Sequence, residues 1–228
     1  MKRIAIIPAR GGSKRIPRKN VVKIRGIPVL GVLIQNLISF DFFDAIYVST
    51  EDNEIADIAK HFGAVVPQLR DSNLADDITP SEVVIKEFLR VNEDISDQTF
   101  VYCIYPHSIL LQKSDLITAQ SKFQSKEIDY VVSGTKINEN HFRHSFTVNN
   151  NFVNILLPEN NYKRSQDLST AYLDIGMFYA AKAFTWVEAG KDWFNAKTKF
   201  VEIPNSRGLD VDTPEDLDTL IKKYLKLL

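Results

Sequence analysis

Residues 3–20 read Arg-Ile-Ala-Ile-Ile-Pro-Ala-Arg-Gly-Gly-Ser-Lys-Arg-Ile-Pro-Arg-Lys-Asn, an apolar run that passes directly into a glycine-rich, basic segment. The run from Arg3 to Ile7 is short, apolar and rich in isoleucine, and it predicts a buried strand. The loop that follows lies at the carboxyl edge of the predicted sheet, where open α/β sheets bind ligands. The N-terminal segment therefore predicts both a class of fold and the place of a binding site.

The residues of this loop have the chemistry of a phosphate site. Gly11 and Gly12 let backbone N–H groups approach an anion closely, and Ser13 adds a hydroxyl donor. Positive charge for a triphosphate comes from Arg10, Lys14, Arg15, Arg18 and Lys19. The loop matches neither the Gly-x-x-x-x-Gly-Lys-Ser/Thr nor the Gly-x-Gly-x-x-Gly pattern, which argues against a P-loop NTPase and a dinucleotide-binding dehydrogenase.

Short β-rich runs alternate with amphipathic patterns through the first 135 residues, which indicates βαβ units and a parallel sheet. The predicted strands are Arg3 to Ile7, Ala45 to Ser49, Ala64 to Pro67, Thr99 to Tyr105, Tyr130 to Gly134, Ile175 to Ala180 and Lys199 to Ile203. The predicted helices are Val29 to Ser39, Asn53 to Phe62, Ser81 to Asn92, Ser114 to Gln124 and Thr213 to Leu227. Thr79-Pro80 and Thr213-Pro214 are helix start signals, and Gly63 is a stop signal.

Residues 141–170 break this alternation. They mix polar and apolar residues and contain the Asn-rich turns 149–151 and 160–161, which predicts a β-rich excursion from a domain made of residues 1–140 and 171–228. Apolar residues of the excursion, such as Phe142, Phe146 and Phe152, need a surface against which they can be buried. A second copy of the chain is the simplest such surface, so we expect a homodimer.

Asp210 and Asp212 form a second chemical motif near the C-terminus. Two residues apart in an extended segment, they project to the same side. Mg²⁺ usually takes one or two protein carboxylates together with substrate phosphate oxygens and water. The pair therefore predicts a magnesium site opposite the basic loop, as nucleotidyl transfer requires.

Charge is unevenly distributed although the net charge is only −1. Met1 to Phe40 contains nine Lys or Arg residues and no Asp or Glu, whereas acids concentrate at positions 210–218. A polyanion site facing a metal site has this distribution, and the near-neutral balance gives no reason to expect nucleic-acid binding.

No apolar stretch approaches the roughly 20 residues of a membrane span, and the run Ile4 to Ile7 is too short for the core of a signal peptide. We therefore expect a cytoplasmic protein without a membrane partner. Cys103 is the only cysteine, which permits no internal disulfide, and its apolar neighbours predict a buried strand position.

The glycine-rich loop, together with the ending Asp-Val-Asp-Thr-Pro-Glu-Asp at residues 210–216, resembles the CMP-sialic acid synthetase family along the whole chain. Within that family, the loop, Cys103-Ile104-Tyr105 and Lys-Arg-Ser-Gln-Asp-Leu at residues 163–168 look most like the branch that acts on pseudaminic acid. The resemblance implies a Rossmann-like nucleotidyltransferase sheet, mostly parallel and in three layers, with a β-rich dimerisation subdomain. It also implies CTP as donor, a nonulosonic acid as acceptor, and Mg²⁺ as cofactor.

The resemblance also assigns site residues. Those assigned to the nucleotide are Arg10, Gly11, Gly12, Ser13, Lys19, Asn20, Arg70, Asp76, Thr79 and Ser81. Those assigned to the acceptor are Tyr105, Lys163, Arg164, Gln166, Asp167 and Asp174. Asp210 and Asp212 are the expected metal ligands and, with Arg10 and Lys19, the catalytic candidates. In a homodimer, Arg164 and Gln166 would serve the sugar bound by the other chain.

Departures from the family pattern leave the acceptor open. His107 and Ser108 stand where the branch has smaller residues, and Leu173, Met177 and Ala180-Ala181 also differ from it. Neuraminic and legionaminic acid are therefore alternative acceptors. The 3-deoxy-octulosonate enzymes lack the Gly-Gly-Ser-Lys pattern, which makes that substrate a weaker alternative.

A different class of function is a nucleotide-binding regulatory module without turnover. Such a module would have lost Lys19 or one of the paired acids, and all three are present. The expected reaction is in-line attack of the anomeric hydroxyl on the α-phosphorus of CTP with release of pyrophosphate. No residue stands out as a general base.

Overall fold

The computed structural model describes residues 1–125, 127–137, 145–160, 162–188, 193–194 and 197–227. Its strands are β1 (Arg3–Pro8), β2 (Lys23–Ile24), β3 (Ile27–Pro28), β4 (Ala45–Ser49), β5 (Phe100–Ile104), β6 (Tyr130–Lys136), β7 (Phe146–Asn149), β8 (Phe152–Ile155), β9 (Tyr172–Lys182) and β10 (Thr198–Glu202). Six of them form the central sheet in the order β10-β6-β9-β5-β1-β4. β2 pairs with β3, and β7 pairs with β8 in a separate hairpin.

The central sheet is mostly parallel, as predicted. β1 runs parallel to β4 and β5, and β6 runs parallel to β10. β9 is the exception, because it lies antiparallel between β5 and β6. The predicted strand from Ala64 to Pro67 is wrong: Val65 makes a single parallel bridge to Tyr47. Val65 is 47% exposed, and Pro67 has no N–H to continue a ladder, so the pairing ends there.

Helices cover both faces of the sheet and complete the predicted three layers. They are α1 (Val29–Ser39), α2 (Asn53–His61), α3 (Ser81–Val91), α4 (Lys113–Lys122), α5 (Ala183–Glu188) and α6 (Pro214–Leu225). α1, α2, α4 and α6 bury apolar residues in one core, and α3 and α5 do so in the other. Cys103 lies in the second core, as expected. None of these helices has the length and apolarity that a bilayer crossing requires in the described part of the chain.

Capping residues set the ends of several helices. Thr213 and Asp216 form a capping box at the start of α6, with Pro214 in the first turn, as the sequence predicts. Gly63 follows α2 with a φ of +96°, which suits the predicted stop. The start of α3 differs slightly, because Pro80 rather than Thr79 is the residue before the helix.

The described part of the excursion is β-rich. β7 and β8 pair antiparallel around the turn at Asn150 and Asn151, both of which have positive φ. All residues of this hairpin are exposed, including Phe146 and Phe152. Residues 141–144, and with them Phe142, lie outside the described residues, and the proposed domain boundaries stay a prediction.

One ion pair joins α4 to the segment that leads into α6. The Arg207 guanidinium makes two hydrogen bonds to the carboxylate of buried Asp115, of 2.5 and 2.9 Å, and a third to the Leu110 carbonyl. Asp115 also accepts the N–H of Gln112 at the start of α4. This arrangement fixes the chain three residues before Asp210.

We expect Asp115→Ala to lower the free energy of unfolding by about 3 kcal/mol, because it leaves the guanidinium of Arg207 without its partner. Urea denaturation measures the loss. Asp129→Ala is the control, because the exposed Asp129–Lys197 contact of 4.0 Å should be worth less than about 1 kcal/mol. Equal losses in the two variants would contradict the structural importance of the buried pair.

Candidate active site

A cleft of about 560 Å³ opens beyond the carboxyl ends of β1 and β5, where the sequence predicts a binding site. Its walls come from the loop after β1, the segment 70–81, residues 105–108 after β5, residues 175–177 in β9, and residues 209–212 before α6. The cleft therefore collects segments from both ends of the chain.

Most of the predicted site residues line this cleft. They are Arg10, Ser13, Lys19, Asn20, Arg70, Asp76, Thr79, Ser81, Tyr105, Asp210 and Asp212. Seven others are not among its lining residues, namely Gly11, Gly12, Lys163, Arg164, Gln166, Asp167 and Asp174. The structure thus brings most of the proposed nucleotide residues together with both proposed metal ligands, whereas most of the proposed acceptor residues lie elsewhere.

The loop after β1 is held in shape by its own hydrogen bonds. The Asn20 side-chain amide donates to the Arg10 carbonyl over 2.8 Å, which closes the loop at its base. Arg18 adopts a left-handed conformation with φ of 54° and starts the 3-10 turn Lys19–Val21. Asn20 is buried and also lines the cleft, so it stabilises the loop as well as forming part of the site.

Two acidic residues after β4 support the same loop. Glu51 accepts the Gly11 N–H over 2.6 Å and pairs with Arg70 at 2.8 Å. Asp52 accepts from Ile55 at the start of α2 and from Arg18. Gly11 therefore uses its N–H within the protein, and its lack of a side chain makes room for Asp52.

Several cations of the loop are paired with carboxylates. Asp77 lies 2.8 Å from Arg10 and 2.6 Å from Lys14, and Asp212 lies 2.9 Å from Arg15. These side chains are partly or fully exposed, so such pairs contribute little to stability, and an anion that makes several contacts can replace the carboxylates. The structure therefore presents a set of cations that phosphate oxygens can bind.

Lys19 contacts the segment that carries Asp210 and Asp212. Its ammonium group donates to the Val211 carbonyl, between Asp210 and Asp212 in the chain. Burial lowers the pKa of Lys19, while the charges of Asp212 and Asp210 oppose that change. Burial also raises the pKa of Asp210, and repulsion by Asp212 raises it further.

Burial, and after it the charge of Asp212, raises the pKa of Asp210, and a bound divalent cation would favour its ionised form. The described residues contain no cluster of three or more His, Cys, Asp or Glu side chains suited to a metal. Two carboxylates alone fit Mg²⁺ that takes its other ligands from substrate phosphates and water.

Aromatic and small residues form the wall nearest to β9. The Tyr105 hydroxyl donates to Ser81 over 2.8 Å, and Gly176 packs against the Tyr105 ring. Burial and, secondarily, the charge of Lys19 lower the pKa of His107 to about 3, so this imidazole is neutral at physiological pH. A neutral wall here suits an uncharged part of a substrate.

Residues 163–167 lie in the excursion and outside the cleft. Lys163 donates to Asn160 over 3.0 Å, and Arg164 pairs with Asp167 at 2.7 Å. Lys163, Arg164, Gln166 and Asp167 are exposed. Within one chain they do not reach the residues around Asp210, and their assignment to the acceptor stays a prediction.

Sequence reasoning missed Glu51, Asp52 and Asp77, which contact the basic loop. A signal existed for the first two, because Glu51-Asp52 follows β4 after one residue, Thr50, and the carboxyl edge of the sheet was already the predicted site. Asp77 gave no signal beyond its position next to Asp76.

Comparison with protein families agrees with this geometry. Residues 4–224 match the family model described as Cytidylyltransferase. A pseudaminic acid cytidylyltransferase of Campylobacter jejuni is 37% identical over 223 residues, which cover 96% of this chain and 94% of that protein. N-acylneuraminate cytidylyltransferase B of Danio rerio is 28% identical over 98% of this chain and 52% of its own length.

A similar fold occurs in a solved structure, that of a CMP:2-keto-3-deoxy-manno-octonic acid synthetase complexed with CTP. It superposes with a TM-score of 0.76 and covers 100% of both chains. Its sequence identity is 17%, so this likeness concerns the fold alone.

We expect Gly11→Ala to lower the free energy of unfolding by about 1–3 kcal/mol, because the added methyl group would overlap the Asp52 carboxylate. Asp52 cannot easily move, since it caps α2 and pairs with Arg18. Gly12→Ala is the matched control, because a Cβ there has no described neighbour within 4 Å. Urea denaturation of both variants checks the difference, and equal stabilities would contradict this account of the loop.

Proposed function

The chain belongs to the cytidylyltransferase family and is a CTP-dependent nucleotidyltransferase, and from this premise we propose that it transfers CMP from CTP to the anomeric hydroxyl of a nonulosonic acid. Pseudaminic acid is the proposed acceptor. The observation that carries this choice is the 37% identity to the Campylobacter jejuni enzyme over nearly the full length of both chains. A cytoplasmic location is part of the proposal, because CTP is a metabolite of that compartment.

The basic side of the cleft suits the triphosphate of CTP. Arg10, Ser13 and Lys19 line it together, and two of the three carry positive charge. In-line transfer builds negative charge on the leaving pyrophosphate and on the equatorial oxygens of the reacting phosphorus. Arg10 and Lys19 would neutralise that charge, and partial burial of Lys19 would strengthen its contact with a phosphate oxygen.

Asp210 and Asp212 are the proposed ligands of Mg²⁺. When bound, the ion would supply charge neutralisation at the reacting phosphate. Lys19 donates to the Val211 carbonyl and is attracted by the charges of both carboxylates, so it would keep the loop after β1 aligned with residues 210–212 before and after the ion enters. Arg15, which pairs with Asp212, would be free to turn to the triphosphate once the carboxylate has another partner.

N-acylneuraminic acid is the second candidate acceptor, because the Danio rerio relative is similar over 98% of the chain. Its lower identity of 28% places it behind pseudaminic acid. Legionaminic acid has the same general chemistry and belongs in the same test.

The reaction is tested by pyrophosphate release from CTP in the presence of Mg²⁺ and a panel of pseudaminic, neuraminic, legionaminic and 3-deoxy-octulosonic acids. We expect the highest kcat/KM with pseudaminic acid. Release with none of the four acids would contradict the proposed function. Preference for another nonulosonic acid would correct the acceptor alone.

Removal of either proposed metal ligand should abolish most turnover. We expect Asp210→Ala and Asp212→Ala each to lower kcat by at least about 100-fold, because the bound ion contributes several kcal/mol of transition-state stabilisation. Asp218→Ala is the control, because Asp218 is exposed on α6 beyond the capping box. Near-normal Mg²⁺-dependent turnover in both variants would contradict the metal assignment.

We also propose a homodimer in which residues 141–170 form the dimerisation subdomain, next to a catalytic domain made of residues 1–140 and 171–228. Support comes from the exposed apolar side chains of the hairpin, among them Phe146, Val148, Phe152 and Val153. An isolated two-stranded hairpin is marginally stable in water, so a partner surface would stabilise it. The same arrangement would carry Arg164 and Gln166 of one chain towards the acceptor bound by the other.

Complementation tests this arrangement. Lys19→Ala and Arg164→Ala chains should each have low activity, and subunit exchange should produce hybrid dimers that contain one site with both residues intact. We expect a hybrid to recover up to about half of the activity of a dimer with two intact sites. A sedimentation mass of one chain would contradict the dimer, and lack of recovery in proven hybrids would contradict the shared site.

A further inference from the structure

β9 bulges where it passes the cleft. It pairs with β6 at Val132–Tyr179 and again at Gly134–Asp174, so residues 175–178 stand opposite the single residue Ser133. Three residues of this bulge, Ile175, Gly176 and Met177, line the cleft. Bulges of this kind often re-aim residues beside active sites.

Side chains replace the ladder hydrogen bonds that the bulge interrupts. Asp174 accepts the Gly176 N–H over 3.0 Å with one oxygen and the Tyr179 hydroxyl over 2.6 Å with the other. The Ser108 hydroxyl donates to the Met177 carbonyl over 2.8 Å. The Ser133 hydroxyl accepts the N–H of Phe178 and donates to its carbonyl, both over 3.0 Å.

Gly176 fits the bulge tightly against the neighbouring strand. Its φ of +58° lies in the left-handed region, and a Cβ there would be 2.9 Å from the Tyr105 ring. The same Cβ would be 3.8 Å from an Asp210 carboxylate oxygen. The bulge therefore packs against the aromatic wall, and a side chain at position 176 would reach one of the proposed metal ligands.

Tyr179 is firmly held in the core, so its hydroxyl has a fixed position. The residue is 3% exposed, and its ring stacks on Trp193 at 3.9 Å between ring centroids. Trp193 packs edge-on against Trp186, whose indole N–H donates to the Val101 carbonyl in β5. The hydroxyl of Tyr179 is thus fixed relative to the central strand of the sheet.

We propose that Asp174 and Tyr179 are positioning residues, which hold the β9 bulge as the acceptor-side wall of the cleft. Both carboxylate oxygens of Asp174 are used within the bulge, and Asp174 is not among the residues that line the cleft. Asp174 therefore acts on the substrate through Gly176 and its neighbours. This inference rests on the proposed function.

The position of the bulge in the sheet assigns it to the acceptor. β5 separates β9 from β1 and its phosphate loop. Most of the segment 70–81, which is assigned to the nucleotide, lies beside β4 and the phosphate loop, because the Arg70 N–H donates to the Thr50 carbonyl and Asp77 pairs with Arg10. By elimination, the bulge faces the acceptor. It does so close to Asp210, where the acceptor and CTP must meet.

The test compares Tyr179→Phe, Asp174→Asn and Asp174→Ala after the parent protein's activity on the acceptor panel is established. We expect Tyr179→Phe and Asp174→Ala to lower kcat/KM for the acceptor by about 10-fold or more, because each breaks a charge-assisted hydrogen bond. Asp174→Asn should lose less than about threefold, since its amide can still accept from Gly176 and donate to the Tyr179 oxygen. CTP affinity, measured by calorimetry, should change less than about twofold in all three.

Tyr130→Phe is the matched control. Its ring packs edge-on against Trp186 in the same aromatic cluster, but its hydroxyl makes only a 3.4 Å contact with the Thr185 carbonyl. We expect near-normal acceptor kinetics for this variant. The double variant Asp174→Ala/Tyr179→Phe should have the same kcat/KM for the acceptor as Asp174→Ala, because both substitutions remove the same hydrogen bond between Asp174 and Tyr179.

Other outcomes would overturn the inference. A large loss in Asp174→Asn with a neutral Tyr179→Phe would show that the Asp174 charge contacts the acceptor directly. Equal losses in CTP affinity and acceptor kinetics would show general damage to the fold. Normal kinetics in Tyr179→Phe and Asp174→Ala would show that the bulge does not need them. A parent protein inactive on every acid would instead remove the proposed function, and this inference with it.

Discussion

Lys19 joins the two ends of the chain at one point. Its ammonium group contacts the carbonyl of Val211, 192 residues away, and lies close to the carboxylates of Asp210 and Asp212. A partly buried cation needs nearby negative charge, and a close pair of carboxylates needs nearby positive charge. The contact therefore stabilises both the loop after β1 and the segment before α6.

The fold could be predicted largely because its signals are local. Apolar runs such as Ile4–Ile7 and the capping residues Thr213-Pro214 act within a few residues, and both elements formed where expected. The run from Ala64 to Pro67 failed as a strand because pairing depends on a neighbour as well as on the run itself. For the same reason, the sequence did not predict that β9 is antiparallel to its neighbours. The chain reaches β9 only after the excursion of residues 141–170.

The site divides in the same way. The phosphate loop and the acid pair could be recognised because each motif carries its chemistry within a few adjacent positions. The contacts of Glu51 with Gly11 and of Asp77 with Arg10 join positions 40 or more residues apart, and nothing in either segment specifies the other. The β9 bulge was equally hidden, because a bulge exists only relative to the partner strand that it faces. Sequence identified the candidate reacting groups, whereas the structure identified the side chains that hold them.

The pairing of Asp77 with Arg10 and Lys14 has a consequence for how anions enter the cleft. The free protein supplies its own counterion, so an incoming anion exchanges with a tethered carboxylate instead of meeting bare charge. Because the Asp77 carboxylate is tethered, it is present at a high effective concentration. A small monovalent anion competes with it poorly. A chain of linked phosphates competes better, because it makes several contacts at once. This exchange would favour anions of high valency, such as nucleoside triphosphates, over the monovalent ions of a buffer.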